Sequence, residues 1–294
     1  MRSSKYRSLA LFLALLLAVS LANITFAQAP AGGQLGRYLV QIEKLRKVND
    51  YEQAIALIDR ALKIFPNNTE LLFHKCWCLY DCQDSDEQAL AAVDQTLALK
   101  GGNTASMYRL QSKILQRLKR YPQAIKAVDQ GLVRCQPPIR ARTEDVFMRS
   151  ILYSQRAAVE REQGQLVNAE KDISTAIRIY PNISEHFSLR AQINTLLKRW
   201  PQVIQDSKHV IKFHRPKIIF DVKDAYMMMG GAYAAQKDYK NAGQTYLQAW
   251  REYPSDRTVL TAAIDFFESI KDKKNADALR KALKSMDEDL APMK

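Results

Sequence analysis

"YEQAIALIDRALKIFP" at residues 51–66, "LVNAEKDISTAIRIYP" at 166–181 and "YKNAGQTYLQAWREYP" at 239–254 share one skeleton. Each holds a small residue, a second small residue seven positions later, and a proline five after that: Ala54, Ala61 and Pro66; Ala169, Ala176 and Pro181; Ala242, Ala249 and Pro254. Looser copies begin at Asp86, Tyr121, Trp200 and Lys273. The decisive second signal lies upstream. Twelve residues before each first small residue, or thirteen in the second copy, stand Ile42, Cys76, Ser112, Ala157, Ala191, Gly230 and Ile264. Four residues earlier still stand Tyr38, Leu72, Tyr108, Tyr153, Phe187, Tyr226 and Leu260.

A large and a small residue four apart share one helical face, and so do two small residues seven apart. The small positions let two helices approach, the large ones fill the space beside them, and the proline ends the second helix because it lacks a donor. The unit is therefore a helix–turn–helix. Neither helix can bury its face alone, so successive units must stack.

At this point the sequence resembles the tetratricopeptide-repeat family, through its period of about 34 residues, its paired small residues, its aromatic–small pair and its terminal proline. The resemblance covers about Leu35 to Met286 in seven copies, and implies an all-α, right-handed α-solenoid. The copies at both ends diverge, with Ile42 and Ile264 at the small position, as expected of capping units. Two insertions break the period. Residues 139–149 precede the fourth copy, with Pro137-Pro138 just before them; residues 218–222 precede the sixth. Each is expected to extend the following first helix backwards, with Thr143 as an N-cap in the first case. The expected division is residues 1–27 as a signal peptide or uncleaved anchor, 35–138 as repeats one to three, and 139–294 as repeats four to seven with a C-terminal capping helix.

The first 27 residues read differently. Arg2, Lys5 and Arg7 precede the apolar run Leu9–Ala22, and small residues follow up to Ala27. That order is a secretory signal, and cleavage after Ala27 is expected. An uncleaved anchor is the alternative, because Leu9–Ala27 approaches membrane-spanning length. The chain is then exported, to a periplasm or beyond the cell. Its formal charge of +13 falls to +10 once those three cations leave. Outside the cytoplasm such a charge points away from nucleic acid and toward an acidic partner, an anionic polymer or a lipid surface.

No nucleophile elbow, metalloprotease helix or phosphate loop occurs, and no cofactor is implied. The chain reads as a non-enzymatic binding protein. His74, Cys78 and Cys82 lie on one helical stripe, but no fourth ligand follows at zinc spacing. The cysteines read as small packing residues, with or without a Cys78–Cys82 bridge. Met227, Met228 and Met229 diverge by about 100° each on a helix and cannot converge on one ion. Gly230 reads as the close-approach residue of its unit, and Gly231 as bare backbone.

The family resemblance implies that a partner lies in a concave groove lined by the first helix of each repeat. Projected onto the register, that groove holds Phe73, Trp77 and Tyr80, then Arg109, Lys113 and Arg117, then Gln192, and finally Met227 and Gly231. An aromatic shelf beside a basic strip suits an acidic or C-terminal peptide. The carboxylate clamp of the co-chaperone members is absent: its positions hold Leu39, Glu43, His74, Ser106 and Leu110. The leading expectation is a scaffold for a protein or peptide partner, in envelope or secretion-complex assembly. The alternative is a basic module that holds anionic polymer or a membrane surface.

Overall fold

A computed structural model describes residues 33–82, 86–135, 143–213 and 222–289. The expected signal peptide, the Pro137-Pro138 kink and nearly all of the second insertion lie outside them. The described regular structure is entirely helical, in seven helix pairs. These are α1 (Gln34–Lys47) with α2 (Tyr51–Ile64), α3 (Thr69–Asp81) with α4 (Asp86–Ala98), and α5 (Ala105–Arg117) with α6 (Tyr121–Arg134). There follow α7 (Thr143–Glu162) with α8 (Leu166–Ile179), α9 (Ser184–Leu196) with α10 (Trp200–Phe213), α11 (Val222–Ala235) with α12 (Tyr239–Glu252), and α13 (Arg257–Ser269) with α14 (Lys273–Asp289). The contacts divide the chain into two compact units after Met148, within the first two turns of α7.

In the first unit α1 also touches α3 and α3 touches α5, and in the second α9, α11 and α13 touch in the same succession, so each unit is a stack of pairs with neighbouring first helices. The register read from the sequence is the register of burial. All seven residues at the small position of the first helix are buried, and Ile42, Cys76, Ser112, Ala157 and Ala191 have no exposed surface. Their partners Ala54, Ala89, Ala124, Ala169, Val203 and Ala242 are equally inaccessible.

The turn inside each pair repeats as well. Asn49, Lys119, Gly164, Lys198, Lys237 and Lys271 each lie seven residues past the small position, at φ between 56° and 80°. The amide after each reaches back five residues, as in Asp50 N–H to the Leu45 carbonyl (3.0 Å) and Arg120 N–H to that of Leu115 (2.8 Å). That bond closes the first helix in a Schellman-type cap. Asp50 and Asp238 then cap the second helix through Gln53 and Asn241. Only one of the six left-handed residues is glycine, so this turn was not visible in composition.

The first insertion does lengthen its helix: α7 has 20 residues, against 13 or 14 for the other first helices. Thr143 is its first helical residue and not its cap. Of the second insertion, only Val222 falls in α11.

Two arginines in the second unit use one device. Arg190, next to Ala191, makes a two-pronged bond to Asp206 (2.9 and 2.7 Å) and reaches Ser174 at 3.4 Å. Arg156, next to Ala157, grips Asp172 in the same way. Asp206 is 1% exposed. Asp206→Ala would leave a guanidinium uncompensated and cost about 3–5 kcal/mol. The double change Arg190→Met with Asp206→Leu is expected to recover most of that loss, measured by urea denaturation.

At Gly230, an added Cβ would stand 2.9 Å from Cζ of Tyr246, whose ring is held against Phe266 at 5.0 Å between centroids. At Gly231 it would meet only the Tyr246 hydroxyl, at 3.9 Å. Gly230→Ala is therefore expected to destabilise by about 1–3 kcal/mol through overpacking. Gly231→Ala should stabilise by about 0.5–1 kcal/mol through helix propensity alone. Thermal melts of the two single variants check both signs.

Candidate functional site

The stripe Phe73, Trp77 and Tyr80 on α3 forms a chain of edge-to-face rings, with centroids 6.3 Å apart at the first step and 5.9 Å at the second. All three rings are half-buried, so each is packed on one side and open on the other. Facing them, α5 presents Arg109, Lys113 and Arg117 at four-residue intervals, hence on one face. Lys113 Nζ lies 5.3 Å from the Tyr80 ring centre and 6.0 Å from that of Trp77, and the Arg117 guanidinium stacks on Tyr80 at 3.9 Å. Each such cation–π contact contributes roughly 0.5–1 kcal/mol at a partly exposed position. The first unit therefore brings the expected aromatic shelf and basic strip together.

The three cations differ in what they already hold. Arg117 is committed: it grips the Asp86 carboxylate with two nitrogens and donates to the Tyr80 carbonyl at 2.8 Å. It fixes α5 to the α3–α4 turn and orients Tyr80. Lys113 has aromatic faces but no ion pair among the described residues. Burial lowers its ammonium to about 8, and Arg109 and Arg117 push in the same direction. Arg109 is lowered by burial too, and among the described residues no carboxylate meets it.

Asp81 was not foreseen as part of this region, although it lies one turn past Trp77 on the same face. Burial raises its carboxyl, while Arg46, Lys113 and Arg117 oppose that rise. Three cations set against Asp81 and Asp86 leave the region net positive. That balance favours an anionic partner over a neutral one.

Behind the shelf, His74 is buried and accepts Arg46 Nη1 on its Nδ1 at 2.9 Å, which ties α1 to α3. The His74, Cys78 and Cys82 stripe is engaged here in packing and a hydrogen bond, and no group of three candidate ligands occurs among the described residues. Cys76, Cys78, Cys82 and Cys135 form no disulfide among the described residues, so Cys78 and Cys82 carry no bridge. Burial pushes the Cys76 and Cys78 thiols up to about 11 and about 12, far from the thiolate that reactivity requires.

The remaining expected residues belong to the second unit. Gln192 accepts a hydrogen bond from Arg161. Met227 is half-buried against the apolar clusters around α12–α14 and α10–α13, and Gly231 is exposed. They form no cluster comparable to the one on α3 and α5.

Comparison with known proteins fits this geometry. Tetratricopeptide-repeat family models match residues 39–104 and 223–256, so the chain carries tetratricopeptide repeats. Among solved structures, it is similar to PilW, a widely conserved type IV pilus biogenesis factor, with 19% identity and a TM-score of 0.63 over 78% of this chain and 99% of that one. The C-terminal part of a repeat protein from Cytophaga hutchinsonii is 18% identical, with a TM-score of 0.62 over 84% and 94%. Pseudomonas aeruginosa pilF is 14% identical, with a TM-score of 0.61 over 79% and 96%. At these identities the likeness is one of fold. The comparison with curated proteins returned no match.

The His74 environment carries a pH consequence. Burial, and then Arg46, lower its imidazole to about 4. In the unfolded chain it takes a proton near 6.5. Between those values the unfolded state binds the proton and the folded state does not, so stability falls as pH drops. The loss from this residue is expected to reach up to about 3 kcal/mol by pH 4. His74→Gln should flatten that slope in denaturation curves taken at pH 7 and pH 4.5.

Proposed function

We propose that this chain is an exported, non-enzymatic scaffold that binds an acidic segment of a partner protein across the α3–α5 face. One observation carries the reading: Lys113 sits half-desolvated over Trp77 and Tyr80, with no ion pair of its own among the described residues. A surface lysine normally extends into water. Here the aromatic shelf holds the ammonium in place, so a partner carboxylate meets a fixed charge beside apolar rings. Aromatic anchors next to a basic residue are the composition of a binding hot spot.

Export rests on the N-terminal pattern of cations, apolar run and small residues. The chain acts in the periplasm or outside the cell in this reading, and no helix among the described residues is long and apolar enough to cross a membrane. Fold likeness to PilW, a type IV pilus biogenesis factor, and to pilF supports a place in envelope assembly. The paired Arg117 serves the site indirectly, by orienting Tyr80, while Lys113 makes the contact.

The test is capture of the partner from the native envelope. Lys113→Glu should reduce capture at least tenfold while the melting temperature stays within a few degrees of the parent. In the parent protein, affinity should fall as pH rises from 7 to 9, because the ammonium loses its proton through that range. Undiminished capture by the Lys113→Glu variant would overturn the reading. Binding that disappears in moderate salt, with no protein recovered, would instead assign the basic charge to an anionic polymer or lipid surface.

A further inference from the structure

A cavity of about 570 Å³ opens in the first unit at the N-terminal end of α5. Phe73, Asn103, Arg109 and Arg134 line it, together with the first turn of α5 and the acidic side chains of Glu144 and Asp145. Two of its polar groups find no partner among the described residues. Arg109 Nε is buried and has no acceptor there, and the buried Asn103 side-chain oxygen has no donor.

Three other half-buried arginines are held differently. Arg117, Arg156 and Arg190 each hold an aspartate with two nitrogens. Arg109 holds none. Glu144 and Asp145 share the cavity but do not compensate it: burial lowers the guanidinium, and the one group that opposes this is Tyr80. A guanidinium does not shed its proton in a protein, so it cannot escape the cost of desolvation as a lysine can. Only an arriving acceptor relieves it, and the planar, two-oxygen acceptor that fits is a carboxylate. The first-turn amides of α5 add positive potential on the same side.

We infer that the cavity is a carboxylate-binding site in which Arg109 takes the carboxylate and Asn103 takes an adjacent amide N–H. A ligand that carries both groups side by side is an N-acylated amino acid, either free or as the C-terminal residue of a peptide. The acidic side chains of Glu144 and Asp145 select against a second negative charge, so the ligand is a monocarboxylate. This site is separate from the Lys113 contact, although Phe73 and Arg109 belong to both regions.

Two probes test it: N-acetyl-leucine, and the tripeptide acetyl-Ala-Ala-Leu with a free carboxylate, each compared with its C-terminal amide. In calorimetric titration and thermal melts, the free acids should bind and raise the melting temperature, and the amides should not. Arg109→Met should weaken acid binding at least tenfold while the unliganded variant melts at or above the parent temperature, because an uncompensated charge has been removed. A tripeptide at least tenfold tighter than the free amino acid assigns the site to a peptide end; equal affinities assign it to a small carboxylate. Equal binding of acid and amide, retained binding in Arg109→Met, or a variant that melts lower because Arg109 is structural would each overturn the inference. Carboxylate binding in a protein whose Lys113→Glu variant still captures its partner would leave this site standing and overturn the shelf alone. Loss of capture in that variant, with no carboxylate binding, would do the reverse.

Discussion

Everything in the two units depends on how closely two helices can come at one position per pair. A helix bearing a large residue there would hold its partner off and open a gap that the neighbouring side chains could not fill. Ser112, Ala157, Ala191 and Gly230 remove that obstacle, and each is buried against the second helix of its own pair. Where the position holds Ile42 or Ile264, in the first and last described pairs, a neighbouring pair lies on one side only among the described residues. Once the pairs close, their first helices lie side by side, and side chains four apart on α3 and α5 come face to face.

This constraint explains why the fold was legible from residues and the site only in part. Spacings of four, seven and twelve residues follow from helix geometry, so they survive changes in every other side chain. The pairing of Phe73, Trp77 and Tyr80 with Lys113 followed from the same register. The role of Arg117 did not, because its partner Asp86 lies 31 residues away in the next helix and nothing in the local pattern marks the pair. Asp81 was overlooked for a related reason: at a helix end a carboxylate looks like a surface charge, and only the neighbouring helix shows that it is half-buried. The left-handed turns escaped because lysine, which fills four of the six, is a poor signal for positive φ.

The two regions of interest handle positive charge in opposite ways. At Arg117, Arg156 and Arg190 the protein brings an aspartate to the cation, which locks one helix to the next. At Lys113 and Arg109 it supplies aromatic faces or an open cavity and no counter-charge. Lysine tolerates this by losing its proton more easily; arginine has no such route. In the proposed function, stability and recognition are separated along one helix, α5, with its C-terminal cation used for packing and the two before it offered to a partner.

The lysines in the turns have a consequence for how the protein can change. A side chain held at positive φ costs about 1 kcal/mol that glycine would not. Lys119, Lys198, Lys237 and Lys271 each keep that strain in a turn remote from the shelf and the cavity by role, since their bonds only close the preceding helix. The array thus holds a set of independent adjustments, one in each of four repeats. Its firmness can drift up or down over many substitutions while the surfaces that meet other molecules keep their shape.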